Sequence, residues 1–257
     1  MTIDYKNASI YYEVNGTGKP VVLLHGFLEN TRMWDDVIVS LPEGFQFIRI
    51  DFPGHGRSEN LGYVSTMEDM AELVLFILNA LNIESAQVIG HSMGGYVALA
   101  MAEKAPQLFE GLCLMNSTFE ADDDERKALR ARANKMVQTN FENMVRMSFA
   151  NLFAPESKLK FKASYDFALS EALKTTVQGY IALQEGMRLR PDRFNVLKNL
   201  QAKKLIISGL KDWVVDLESI REKTKDADIK TVELSEGHMS HIENIEELSY
   251  ILKQYIE

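Results

Sequence analysis

Gln87-Val88-Ile89-Gly90-His91-Ser92-Met93-Gly94-Gly95 is the stretch on which the reading of this chain turns. Gln87 to Ile89 is a short run of β type, and Met93 to Lys104 has helical period and stops before Pro106. A serine between two such elements has the G-x-S-x-G pattern in the context that gives it meaning. Small neighbours let a strand-to-helix turn close around a strained residue. Ser92 then stands at the amino end of a helix, whose N–H groups favour a developing negative charge. The bland reading, a glycine-rich packing turn with an incidental serine, does not need a strand on one side and a helix on the other.

Outward from Ser92, further apolar runs occur at Ser9 to Val14, Val21 to Leu24, Phe45 to Ile50, Leu112 to Met115, Leu205 to Ile207 and Ile229 to Leu234. They are continuous rather than strictly alternating, as expected of strands covered on both faces. Helical stretches separate them. Met67 to Leu81 has Thr66 placed to cap it with Asp69 three residues on, and Ile245 to Tyr255 closes the chain. This alternation predicts an open α/β sheet of mostly parallel strands. It breaks between Phe119 and Gln201, where no strand run occurs and Lys, Arg, Glu, Ala, Leu and Met dominate. The expected organisation is an α/β core of residues 1–118 and 202–257, with an all-helical insertion at 119–201.

A serine nucleophile needs a base and an orienting acid. If the chain order is serine, then acid, then histidine, only His238 and His241 of the five histidines follow Ser92. His238 follows Gly237 just beyond the last strand run, at a strand's carboxyl end where α/β sites gather. His241 is expected on the opening turn of the last helix. For the acid, Asp212 is the first carboxylate beyond the Leu205 run, while Asp216 suits the cap of the next helix. His25-Gly26-Phe27 ends another strand, and the Phe27 and Met93 amides are candidate oxyanion donors. His25 and the loop Asp51 to Ser58 read as structural. A metal set of His238, His241 and Glu243 lacks the HExxH pattern, and no G-x-G-x-x-G follows the first core strand, so no metal or cofactor is expected.

The chain has 257 residues and a net charge of −9, which speaks against nucleic acid or an anionic membrane as partner. Its single cysteine, Cys113, sits in an apolar run and is expected to be a buried, inert thiol. No stretch approaches the ~18 apolar residues of a spanning helix, and no apolar leader follows Met1, so the expected location is cytoplasmic.

Together these residues resemble the α/β-hydrolase superfamily, in its helical-cap branch. The resemblance rests on His25-Gly26-Phe27, the Asp51 to Ser58 loop, the Ser92 elbow, Gly209 to Asp212, and Gly237-His238 followed by Glu243. It implies an eight-stranded, mostly parallel sheet whose second strand is antiparallel, with a cap inserted after the sixth. It also implies Ser92 as nucleophile, His238 as base, Asp212 as acid, and Phe27 and Met93 as oxyanion donors. The expected activity is hydrolysis of a small carboxylic ester with an apolar acyl group. A lactonase or carbon–carbon-bond hydrolase would use the same triad, and a ligand-binding receptor would keep the pocket without turnover. In the insertion, Met136, Phe141, Met144, Met147, Phe149, Phe153 and Phe167 are expected mainly to join the helices, with the remainder lining the pocket. Arg188, Arg190 and Arg193 read as a solvated helix end rather than an anion site, and Arg126 to Lys135 as an exposed basic face.

Overall fold

The computed structural model describes residues 1–257. Its eight strands are β1 (Thr2–Tyr5), β2 (Ala8–Gly16), β3 (Lys19–Leu24), β4 (Phe45–Ile50), β5 (Ala86–His91), β6 (Phe109–Met115), β7 (Lys203–Gly209) and β8 (Lys230–Leu234). They form one sheet in the order β1-β2-β4-β3-β5-β6-β7-β8. Only β2 runs against its neighbours, pairing antiparallel with both β1 and β4. The remaining contacts are parallel.

Period 2 explains why the central strands are continuously apolar. Val22, Leu24, Val88, Leu112, Leu114 and Ile206 enter one hydrophobic cluster, while Val21, Leu23, Ile89, Cys113, Met115, Leu205 and Ile207 enter a second on the opposite face. Helices α2 (Met67–Ala80) and α3 (Met93–Lys104) cover the first face. Helix α1 (Asp35–Val39) contributes Val37 to the second cluster, and the carboxyl-terminal helix contributes Leu248, Leu252 and Ile256. Thr66 and Asp69 make the reciprocal capping box that opens α2. Cys113 is fully buried, and burial pushes its thiol pKa up, in keeping with an inert side chain.

Two strands depart from the sequence expectation. β1 is too short for a periodic signal. It joins β2 through Lys6-Asn7, both with positive φ (52° and 65°), which is hairpin geometry without the usual Asn-Gly. β8 is an edge strand with largely exposed residues, so its outer side carries charge instead of a continuous apolar run.

Between β6 and β7 the chain forms only helices. These are α4 (Asp124–Met136), α5 (Phe141–Ala150), α6 (Ser157–Lys160), α7 (Lys162–Ala172), α8 (Val177–Leu189) and α9 (Phe194–Asn199). Met144, Val145, Phe149, Phe153, Leu169 and Tyr180 form a third cluster with Leu28 and Met239 of the sheet's loops. Leu183 and Met187 of α8 and Leu197 of α9 belong instead to the main core, so the helical segment is rooted at its carboxyl end. After β7 come α10 (Leu217–Thr224), α11 (Ser240–Glu243) and α12 (Ile245–Ile256). Asp216 caps α10 through the Ser219 amide. His241 lies in the separate short helix α11, not on α12: Asn244 breaks the helical path between them.

Candidate active site

Four strands end on one edge of the sheet, and their loops carry the candidate residues. Ser92 follows β5 and caps α3 with φ 48° and ψ −115°, a strained conformation for a residue with a side chain. The turn closes because Gly90 and Gly94 lack side chains. A Cβ on Gly90 would stand 2.4 Å from the Gly94 carbonyl oxygen, and one on Gly94 would stand 2.3 Å from that of Leu24. Ser117 Oγ donates to the Ser92 carbonyl at 2.7 Å and holds the turn from β6.

The structure brings Ser92, His238 and Asp212 into one line. His238 Nε2 lies 2.9 Å from Ser92 Oγ, and Nδ1 lies 2.7 Å from Asp212 Oδ2. Asp212 is held by three further contacts: Oδ1 accepts from the Val214 and Val215 amides at 2.8 and 3.2 Å, and Oδ2 from Asn116 Nδ2 at 3.2 Å. Burial alone would raise the Asp212 pKa, but His238, the Val214 amide and Asn116 outweigh it and hold the carboxyl below its usual range. The His238 loop is also tied to the helical segment. Its amide donates to the Leu152 carbonyl at 3.0 Å, and Glu243 accepts from the amides of Ala154 and Met239 at 2.8 and 2.9 Å.

Phe27 faces the cavity at Ser92, and its amide makes no backbone hydrogen bond. Met93 buries its side chain in the main core, leaving its backbone for the site; as the first residue of α3, its amide is one that helix bonding leaves free. His25 is fully buried, donates from Nδ1 to the Gly26 carbonyl at 2.7 Å and accepts the Phe52 amide at Nε2, 2.9 Å away. That is a neutral ring, and burial lowers its pKa accordingly. Asp51 accepts the Thr31 and Arg57 amides, so its loop is a structural turn.

A second histidine–carboxylate pair lies behind the first. Glu29 Oε2 accepts from the Gly26 amide at 2.8 Å and stands 2.6 Å from His91 Nδ1. His91 Nε2 lies 3.0 Å from the His238 carbonyl oxygen. Glu29 Oε1 has only His241 Nε2 nearby, at 3.5 Å. These three residues are the one cluster with metal-ligand character, their ligand atoms lying within 4.8 Å of one another. The direct Glu29–His91 contact occupies the space an ion would need, because ligands at ~2.0–2.1 Å from a tetrahedral metal stand well over 3 Å apart. The cluster reads as a hydrogen-bonded histidine–carboxylate pair, not a metal site.

The cavity over Ser92 measures about 170 Å³. Phe27, Leu28, Leu152, Met187 and Val214 give it apolar walls, while Tyr96, Arg130, Ser148 and Gln184 add polar groups. A larger cavity of about 340 Å³ opens beyond Glu29, between α7 and the Asn30–Asp36 segment, and does not reach Ser92. None of the seven Met and Phe residues expected as candidates lines the Ser92 cavity. Met144, Phe149 and Phe153 are consumed by packing between helices, and Met136 and Met147 face outward.

The arginines also differ from expectation. Arg190 and Arg193 are buried: Arg190 pairs with Asp122 at 2.8 Å and stacks on Tyr96, while Arg193 pairs with Glu68 and Glu103. Neither is a solvated helix end, since each lies where the helical segment rejoins the core and desolvation demands a partner. Arg130 turns off the exposed face of α4 to pair with Asp122 at 2.5 Å and donate to Gln184 at 2.6 Å. Arg130, Gln184, Asn116, Glu29 and His91 are not among the sequence candidates. Asn116 has a usable signal, a polar residue directly after a strand's carboxyl end; His91 and Glu29 lie near Ser92 and Phe27 in sequence, but their pairing with each other is a long-range contact, as are those of Arg130 and Gln184.

A model of the alpha/beta hydrolase fold matches residues 19–245. The acetyltransferase component of an acetoin-cleaving system from Pseudomonas putida is 31% identical over 93% of this chain, which spans 64% of that relative's length. A thermophilic esterase from Thermogutta terrifontis superposes with a TM-score of 0.91 at 26% identity, covering 96% of this chain and 93% of that one. An enol-lactonase from Burkholderia xenovorans LB400 shares the fold with a TM-score of 0.91 at 22% identity, over 99% of each chain. No helix of the structure is long and apolar enough to cross a membrane. With the family match running from β3 through β8, the chain belongs to the alpha/beta hydrolase fold family.

Proposed function

We propose that this protein is a serine hydrolase of small carboxylic esters, acting through an acyl-enzyme on Ser92. The observation that carries the reading is the hydrogen-bonded line Ser92–His238–Asp212, with its serine end opening on a cavity. The esterase from Thermogutta terrifontis, similar over nearly the whole chain, supports an ester as substrate. His238 takes the Ser92 proton as Oγ attacks the acyl carbonyl, and Asp212 holds the ring in the tautomer whose Nε2 is free to accept it. The oxyanion is received by the Phe27 and Met93 amides. Collapse expels the alcohol, which leaves with the proton from His238. Water, deprotonated by His238, then attacks the acyl carbon and releases the acid and free Ser92.

We read residues 119–201 as a cap over this site, since Arg130, Ser148, Leu152, Gln184 and Met187 supply one wall of the cavity. At about 170 Å³, the cavity is below the ~300 Å³ at which drug-sized ligand pockets begin, which supports a short acyl chain.

The test is hydrolysis of p-nitrophenyl esters from acetate to laurate by wild type and Ser92→Ala. Turnover should peak at acetate to butyrate and fall by several orders of magnitude in the variant. Wild-type activity in Ser92→Ala would sink the reading. A folded protein without turnover would move it to a lactone, a carbon–carbon bond or a receptor.

A further inference from the structure

The residue before the nucleophile is a histidine whose two ring nitrogens both face acceptors. Nδ1 meets the Glu29 carboxylate at 2.6 Å, and Nε2 meets the His238 carbonyl oxygen at 3.0 Å. A backbone carbonyl cannot donate, so Nε2 must carry a proton. A neutral His91 protonated there would need a protonated Glu29 to supply the other hydrogen bond. Glu29 Oε2 already accepts the Gly26 amide at 2.8 Å. An amide donor on that oxygen favours the carboxylate, and the imidazolium then satisfies both contacts with donors.

The geometry points to His91, as a buried imidazolium paired with Glu29, as a positioning residue that locks the base loop, the oxyanion loop and the nucleophile elbow into one unit. This rests on the serine-hydrolase reading above. Glu29 Oε2 is the junction. It holds Gly26, directly before the oxyanion candidate Phe27, and it holds His91, directly before Ser92. His91 in turn donates to the backbone of His238. Three segments far apart in sequence are therefore fixed through one carboxylate oxygen and one ring. Gly26 permits this approach: a Cβ there would stand 2.4 Å from Glu29 Oε2 and 2.8 Å from His91 Nδ1.

The surrounding charges agree. Burial lowers the His91 pKa, but the Glu29 charge and hydrogen bond, the His238 carbonyl and Asp212 outweigh it, so the net direction is upward. For Glu29, burial raises the pKa but His91, His241 and His25 bring it to about 2. The other rings facing His91 do not compete for its charge. His241, with its ring centroid 5.4 Å away, is pushed down by burial to about 4, and buried His25 is also lowered. The side chain of His238 stands with its ring 5.1 Å from that of His91, turned towards Asp212 and Ser92.

Two measurements test this. In protein labelled with ¹⁵N-histidine at pH 8, His91, assigned by its loss in His91→Asn, should show two protonated ring nitrogens. One protonated nitrogen would mean a neutral Glu29–His91 pair and overturn the proposal. Kinetically, Glu29→Gln can still accept from Gly26 but no longer holds the His91 charge. We expect kcat to fall by about 10- to 100-fold with KM within about twofold, the pattern of misplaced catalytic groups. His91→Asn retains a donor near Glu29 and removes only the arm to His238, so it should show the same split even if Glu29→Gln folds poorly. Unchanged kcat in a folded His91→Asn, or equal loss in kcat and rise in KM, would overturn the positioning role. The ring measurement needs no turnover, so it stands even if Ser92→Ala retains activity and the hydrolase reading fails.

Discussion

The site contains two histidine–carboxylate pairs built from the same chemistry, Asp212–His238 and Glu29–His91, and they differ in what the far nitrogen meets. In the first, Nε2 faces the Ser92 hydroxyl at 2.9 Å; in the second it faces the His238 carbonyl at 3.0 Å. A hydroxyl can donate or accept, so His238 can gain and lose a proton without breaking the contact. A carbonyl only accepts, so the His91 proton is fixed. A single oxygen atom at the end of each line separates a ring able to do acid–base chemistry from one able only to hold its neighbours.

The largest effect should come from breaking the first pair. Asp212→Asn leaves a side chain of the same shape but offers His238 an amide donor, favouring the wrong tautomer; kcat should drop by about 10⁴-fold in steady-state ester hydrolysis. The corresponding change in the second pair, Glu29→Gln, should cost far less. If both variants lost equal activity, the division into a reacting pair and a holding pair would collapse.

Stability should sharpen the same contrast. Burial works against the Glu29 charge, but His91, His241 and His25 hold its pKa at about 2, below the ordinary 4.5. A depressed folded pKa gives stability that is present above 4.5 and lost as pH falls through about 2. Over that interval the loss is about 3 kcal/mol. His241, buried and pushed to about 4 from 6.5, acts earlier. The unfolded chain takes up its proton below 6.5 while the folded one resists until about 4, which again costs about 3 kcal/mol on acidification. His91 has the opposite sign: its contribution is full below 6.5 and is lost as pH rises through its raised folded value. Urea midpoints should therefore fall from pH 6.5 to 4, and His241→Asn should flatten that limb. An unchanged slope in the variant would detach His241 from the acid response.

The contrast also shows what a sequence can disclose. Strand runs, the Thr66 capping box, the Asp216 cap and the strand–Ser92–helix order are local patterns, set by residues a few positions apart, and the fold could be read from them. The candidates Ser92, Asp212 and His238 each directly follow a strand or its loop, so topology nominates them. Glu29 and His91 meet across 62 positions, and His91 and His238 across 147, with no local feature to announce either contact. The chain order serine, acid, histidine points only beyond Ser92, and His91 precedes it. Arg130 and Arg190 failed for a related reason. Charge periodicity on a helix says which residues share a face, not that Asp122 waits beneath that face with its side chain wholly buried. Asp122→Ala would leave both guanidiniums without it and should cost about 3–5 kcal/mol by urea denaturation. Hydrolysis of short esters by the folded variant should suffer less than in Asp212→Asn.

Asn116 offers the smallest and finest division between the two pairs. It sits at φ 46° just beyond β6, where Nδ2 donates to Asp212 Oδ2 and the Gly237 carbonyl, both at 3.2 Å, and Oδ1 accepts from Ser240 at 2.7 Å. It thus supports Asp212 and the His238 loop, while its side-chain hydrogen bonds go to neither Glu29 nor His91. Asn116→Gly keeps the backbone conformation at no steric cost and removes only these contacts. The Val214 and Val215 amides still hold the other Asp212 oxygen, so the loss in kcat should be modest, about three- to tenfold, with KM nearly unchanged. The His91 ring signals should not move. If they do, the two pairs are coupled through the Gly237–His238 backbone, and the holding pair senses the state of the reacting one; if kcat alone falls, each pair has its own supports and meets the other only at the His238 carbonyl.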